Sequence, residues 1–190
     1  MDPIEFVDNI SSKQHILQVI TNENEAKQVQ FRFIGNGLLK QEHCIYMTHE
    51  SPEKIKQEMI ENGIDVEKFT NNSLLKIYKV PDILKDPDGP LEGFKKMFAD
   101  MTAGPPPQRI VGRSINDIST ENGMAAQIEI EKYAHSVFDS LDSSILCCYD
   151  FLHQRPAQNN ALFMRLCDCH HNVIMSMMSG SFAFNLHGAK

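Results

Sequence analysis

The chain has 190 residues, 42% of them apolar, enough side chains to build a core without disulfides or a structural metal as staples. Its 18 Lys and Arg stand against 25 Asp and Glu, a formal charge of -7, and the basic residues are scattered; without a stripe to neutralise phosphates, direct nucleic-acid binding is excluded. No run reaches the roughly eighteen apolar residues of a membrane span, and Asp2, Glu5, Asp8 and Lys13 interrupt the segment that a signal peptide would keep apolar, so the sequence reads as cytoplasmic.

Residues 15–20 form a short apolar run, and Thr21 or Asn22 followed by Glu25 signals a helix start of the capping kind. The helix predicted from there extends to about residue 39, with Ala26, Val29, Phe33 and Leu38 on one buried face. Residues 43–48, rich in β-formers, read as a second strand. Ser51 as N-cap and Pro52 at the first helical position open the next helix. Ile55, Met59 and Ile60 supply its apolar face, and Asn62-Gly63 its stop. Residues 74–80 read as a third strand, 81–90 as a proline-rich loop and 91–101 as a helix, which Gly104-Pro105-Pro106-Pro107 ends. Strands at 109–113, 144–149 and 173–177 alternate with helices at about 122–141 and 159–169. The tail after Gly180 is either one more edge strand or frayed. Residues 1–12 read as an N-terminal extension of one domain spanning 1–190.

Six apolar runs separated by five helical stretches imply an α/β protein with a mainly parallel sheet of six or seven strands, covered by helices on both faces. In such a sheet, ligands bind beyond the carboxyl ends of the strands, near a topological switch point. The five cysteines (Cys44, Cys147, Cys148, Cys167, Cys169) are odd in number, partly adjacent and set in apolar surroundings, as reduced thiols are.

Residues 33–75 resemble KaiC-like members of the RecA superfamily: a helix ending in Gly37-Leu38, a strand at 43–48, a Glu50-Ser51-Pro52-Glu53 turn, and a helix ending near Gly63 to Phe69. The phosphate loop of that family, G-x-x-x-x-G-K-[ST], is absent. A branch of this layout without the loop, the MEDS sensory domain of methanogens, methylotrophs and a dichloromethane-responsive regulator, resembles nearly the whole chain. The likeness is carried by His15-Ile16-Leu17, residues 34–46, Arg109-Ile110-Val111-Gly112, Leu146-Cys147-Cys148-Tyr149-Asp150 and His171-Asn172-Val173-Ile174. Before the final strand that family usually has Thr-His-Pro, where this chain has His170-His171-Asn172. The resemblance implies a three-layer RecA/KaiC-like fold and a sensory or signalling role, exercised through a partner.

His49, Glu50, Arg113, Tyr149 and Asp150 fall at strand ends and would gather on one edge, with His153 close by, as a small polar pocket with one fixed cation and an aromatic face. The plainer alternatives are that Glu50 supports a helix N-terminus and that Arg113 and Asp150 form an ion pair between loops. Cys167, Cys169, His170 and His171 are the densest group of metal-ligating types, but Cys-x-Cys-His-His is not a standard zinc spacing and Cys169 continues an apolar stripe with Leu162, Leu166 and Val173. No metal or other cofactor is expected; Cys167, His170 and His171, with Cys147 or Cys148, are the residues that would hold one. The ten methionines suit either core packing or a pliable apolar surface. Neither a G-x-S-x-G nor a strand-borne G-x-G-x-x-G is present. The expectation is a non-catalytic sensory domain that binds a small molecule at the strand ends and acts through a protein partner, without membrane or nucleic acid. A degenerate nucleotide-binding protein or ATPase using Glu50 and Arg113, and an oligomerising scaffold, are the alternatives.

Overall fold

The computed structural model describes residues 1–11, 13–151 and 156–186. A helix α1 (Pro3–Asp8) precedes strand β1 (His15–Ile20), followed by α2 (Glu23–Leu39), β2 (His43–Thr48), α3 (Pro52–Glu61), α4 (Val66–Asn71) and β3 (Leu75–Lys79). After a single 3-10 turn at Ile83–Lys85 come α5 (Pro90–Met101), β4 (Gln108–Gly112), α6 (Glu121–Phe138), β5 (Ser143–Asp150), α7 (Pro156–Cys167), β6 (Asn172–Ser176) and β7 (Phe182–Asn185). The sheet order is β3-β2-β4-β5-β1-β6-β7, parallel throughout except for β7, which pairs antiparallel to β6 and makes the tail a seventh strand. Residues 187–190 of that predicted tail lie outside the described residues.

Two layers of apolar side chains hold the helices to the sheet. Leu17, Ile45, Ile110, Ile145 and Val173 point to one face, against Phe94 and Met97 of α5, Ile130 and Phe138 of α6 and Leu162 of α7. Their strand neighbours Ile16, Cys44, Val111, Leu146 and Ile174 point to the other, against Phe33 and Ile34 of α2 and Ile55 and Met59 of α3. The pleat produces this division, because successive strand residues face opposite ways. Because both faces are covered, β1, β2, β4 and β5 are buried almost without interruption.

The helix starts follow local chemistry. Asn22 caps α2 by accepting from the Glu25 N–H at 3.4 Å, and Thr120 caps α6 by accepting from Gly123 N–H at 3.1 Å. Ser51 occupies the N-cap position of α3, yet its hydroxyl bonds Glu53 Oε2 at 3.0 Å instead of the backbone. Two short helices were not expected. Asp2 accepts from Ile4 and Glu5 N–H to start α1 inside the predicted extension, and Asp65 accepts from Lys68 N–H to start α4. Ile60, expected on the buried face of α3, is 53% exposed; the helix turns its 55/59 stripe inward and carries residue 60 past it. Met47, Met59, Met97 and Met101 are buried core, whereas Met164 and Met178 are exposed. All five cysteines are free.

Candidate functional site

Chain direction decides where a site can form. After β1 and β2 the chain crosses the sheet on the α2–α3 face, and after β4 and β5 on the α6–α7 face. The adjacent pairs β2/β4 and β5/β1 therefore send their connections to opposite sides, which opens a crevice at their carboxyl ends. A cavity of about 260 Å³ lies there, lined by His49 and Glu50 after β2, Arg113 after β4, Asp150 of β5 and Lys27 and Gln30 of α2. Four of the five residues predicted to share a strand-end pocket are thus brought together. Asn116 also borders it, and His49 and Asn116 are shared with a neighbouring cavity of about 330 Å³ under Pro81 and Ile83.

Gly112 makes this geometry possible. Its φ of 135° lies in the region that disfavours side chains, and a Cβ there would stand 2.5 Å from Met47 Cβ and 2.8 Å from the Met47 carbonyl oxygen. With no side chain, β4 ends tight against β2 and turns Arg113 toward the crevice. Arg113 Nη2 donates to the Asn116 carbonyl at 2.8 Å, which folds the following loop over its guanidinium.

The charges around the cavity are mixed. Glu50 accepts from Lys54 and lies 3.6 Å from Lys27 Nζ; those two lysines, Lys54 first, hold its carboxyl below the usual range. Lys27 also reaches Glu58 at 2.6 Å and Glu23 at 3.5 Å, and Lys79 donates to the His49 and Glu50 carbonyls. His49 Nε2 lies 3.2 Å from the Arg113 carbonyl, the place of an N–H donor. Burial, and then the Arg113 charge, hold the ring down to about 4, so His49 is neutral at pH 7. The floor is a closed polar chain: Tyr46 Oη donates to Gln30 Oε1 at 2.6 Å, Gln30 Nε2 to Gln18 Oε1 at 2.9 Å, and Gln18 Nε2 to Ser176 Oγ at 3.0 Å. Cys148 Sγ joins it at 3.4 Å from Gln18 Oε1, and burial raises this thiol to about 12, which keeps it protonated and inert.

A phosphate loop would occupy the connection from a strand to the N-terminus of the following helix. Here β1 reaches α2 through Thr21-Asn22 alone, whose two N–H groups both donate to the Ser176 carbonyl, at 2.8 and 3.0 Å. Glu23 and Glu25 then fill the first turn of α2 with negative charge. The two amides of the connection are thus engaged within the protein, and the acidic first turn opposes a polyphosphate at that position.

The fifth predicted pocket residue is elsewhere. Tyr149 is fully buried on the opposite face, because it is adjacent in β5 to Asp150 and the pleat sends neighbours to opposite sides. Its hydroxyl donates to Glu131 of α6. His153 lies outside the described residues. The Cys/His group at the end of α7 is also divided: Cys169 is core, Cys167 is half-buried, His171 stands edge-on to the Phe138 ring of α6 with centroids 5.2 Å apart, and His170 meets His15, Glu131 and Cys147 rather than Cys167. The sequence reading missed Lys27, Gln30 and Asn116 around the cavity, since the first two sit mid-helix and look like ordinary surface positions.

A family model for the MEthanogen/methylotroph, DcmR Sensory domain, MEDS, matches residues 14–170. No curated protein sequence matches the chain. Among solved structures, the fold is similar to a KaiC-like protein from the hyperthermophilic archaeon Pyrococcus horikoshii, with a TM-score of 0.64 and 14% identity over 85% of this chain and 70% of that one. At that identity the likeness establishes the RecA/KaiC-like three-layer architecture and nothing of activity. No helix of the described residues is long and apolar enough to cross a membrane. The family match extends from just before β1 to the residues that lead into β6 and takes in every residue bordering the strand-end cavity, and on it the chain belongs to the MEDS family of sensory domains.

Proposed function

We propose that the chain is a non-catalytic sensory module that binds a small polar molecule in the strand-end cavity and passes its occupancy to a protein partner. The observation that carries this reading is the convergence of His49, Glu50, Arg113 and Asp150 on one cavity of about 260 Å³ at the switch point of the sheet. That volume suits a molecule of few heavy atoms. Cationic Arg113 and Lys27 facing Glu50 and Asp150 suit a compact ligand with an anionic group, or with charges of both signs. The closed Thr21-Asn22 connection supports a sensory over a nucleotide-hydrolysing role.

Titration of isotope-labelled protein with formate, acetate, glycine and methylammonium, followed by amide chemical shifts, tests the reading. At least one probe is expected to move the amides around His49, Arg113 and Asp150 in a saturable way, with the effect lost in Arg113→Ala. Millimolar probe concentrations that leave those amides unmoved, or shifts that survive Arg113→Ala, would remove the pocket. Co-purification of a partner from the native host with and without the responding probe then tests transmission.

A further inference from the structure

On the α6 face of the sheet, away from the strand-end cavity, His15 opens β1, Cys147 lies in the middle of β5, Glu131 projects from α6 and His170 precedes β6. All four are buried, and among the described residues theirs is the group of metal-ligating atoms that converge within 4.8 Å of one another. His15 Nε2 is 3.4 Å from Cys147 Sγ and 3.6 Å from Glu131 Oε2; His170 Nε2 is 3.6 Å from the same oxygen, and Cys147 Sγ 3.8 Å from it. Zinc bonds of about 2.0–2.3 Å put tetrahedral ligands about 3.3–3.7 Å apart. Four of the six donor–donor separations, 3.4–3.8 Å, are thus close to the edges of such a tetrahedron, and all six lie within 4.8 Å.

Hydrogen bonding alone does not account for the group. His170 Nδ1 is 2.7 Å from the Leu166 carbonyl, so it carries the ring proton and leaves a lone pair on Nε2. That lone pair faces the Glu131 carboxylate, with no hydrogen bond to Nε2 although the atom is fully buried. Two acceptors aimed at each other in a dry interior repel, unless a cation lies between them. His170 and Glu131 have the outer partners of a ligand set as well, whereas His15 Nδ1 has none. The Leu166 carbonyl orients one imidazole, while Tyr149 Oη and Gln127 Nε2, the latter at 3.2 Å, hold Glu131 Oε1 and turn Oε2 inward. Gln127 is itself fixed by accepting from Ile115 N–H at 2.9 Å.

We propose that His15, Glu131, Cys147 and His170 form a closed four-coordinate centre for a borderline divalent ion of the zinc type. Two imidazoles, one carboxylate and one thiolate make a donor set that zinc accepts and that magnesium or calcium does not. Having no open position, the ion ties β1, β5, α6 and the approach to β6 together rather than activating water. This assignment is independent of the ligand proposed for the strand ends.

The test is elemental analysis of protein expressed without a histidine tag and loaded with zinc, followed by cobalt replacement and absorption spectroscopy. One zinc per chain is expected, and the cobalt form should show the intense visible bands of tetrahedral cobalt with a near-ultraviolet thiolate charge-transfer band. Cys147→Ser should lose the charge-transfer band, His170→Ala should weaken metal affinity about tenfold or more, and Cys167→Ser should change neither. Folded wild-type protein that holds less than about a tenth of an equivalent of zinc after loading and gives no tetrahedral cobalt spectrum would overturn the proposal. So would a charge-transfer band that follows Cys167 instead of Cys147. The wild-type measurements decide the matter even where a variant fails to fold.

Discussion

Arg109 lies in β4 with 2% of its side chain exposed, and one carboxylate neutralises it. Its Nε and Nη2 donate to the two oxygens of Glu42, Nη1 donates to the Phe33 carbonyl at 3.0 Å, and the guanidinium lies 4.9 Å from the Phe33 ring centroid. Glu42→Ala removes the counter-charge and leaves the cation buried. Breaking a buried pair in this way costs about 3–5 kcal/mol. The Glu42 side chain is 16% exposed, so water reaches the vacated position and the low end, about 3 kcal/mol, is expected. For a chain of this size that corresponds to a fall in Tm of about 6–12 °C. Replacing both partners, Arg109→Met with Glu42→Gln, removes the charge together with its need for a partner and should return to within about 1 kcal/mol of the parent. Urea unfolding with unchanged m-values and scanning calorimetry give both numbers. A cost below about 1 kcal/mol for Glu42→Ala, or no recovery in the double variant, would show that solvent already screens the guanidinium and would refute the reasoning. The pair sits at the amino ends of the strands, so neither substitution should alter probe binding at the carboxyl ends.

Gly37→Ala would put a Cβ 2.6 Å from Arg109 Cδ and 2.7 Å from Cys44 Sγ; overpacking of about 1–3 kcal/mol is expected in denaturant unfolding. Gly112→Ala meets Met47 Cβ at 2.5 Å and adds a disfavoured φ, so it should cost more than Gly37→Ala and also displace the Arg113 resonances in NMR. His49 should titrate near pH 4 by NMR, and Arg113→Ala should raise that value, because the arginine charge is the second cause of the depression after burial. Since the folded state holds this ring neutral and the unfolded chain protonates it near 6.5, its contribution to stability is complete above that pH. It is lost progressively as pH falls toward 4, and His49→Gln should flatten that part of the stability curve. Asp8→Asn breaks the two-pronged contact to Arg32, at 2.6 and 2.8 Å, and should loosen α1 by about 1 kcal/mol or less, seen as faster amide exchange in residues 3–8 alone.

The strands were legible because both faces of the sheet are covered: each of the six predicted runs is rich in apolar and β-forming residues between turn signals, and each matches an observed strand to within a residue. What escaped were elements too short for periodicity to register. The six residues of α1 and of α4 hold about one and a half turns, and only the caps at Asp2 and Asp65 mark them. Strand ends next to loops made His49, Glu50, Arg113 and Asp150 readable as neighbours. Tyr149 was misplaced because nearness along a strand end was given more weight than parity, although the period of two separates it from Asp150. Of the buried group around Glu131, His170 and Cys147 were already among the candidate metal holders, whereas His15 and Glu131 itself were beyond reach. A glutamate in an amphipathic helix reads as surface, and its burial depends on which strands pack beneath it, which no local pattern carries.

Residues 147 to 150 of β5 alternate between two environments: Cys147 and Tyr149 serve the group around Glu131, while Cys148 and Asp150 border the strand-end cavity. The strand thus works as a two-sided ruler whose phase is set from both faces at once. Sliding it by one residue against β4 and β1 would exchange the two sets, carrying the carboxylate of Asp150 into the apolar layer and taking the Tyr149 hydroxyl away from Glu131. A single-residue deletion there would therefore erase both arrangements together, whereas a two-residue shift would keep each side chain on its proper face and misplace it only along the strand.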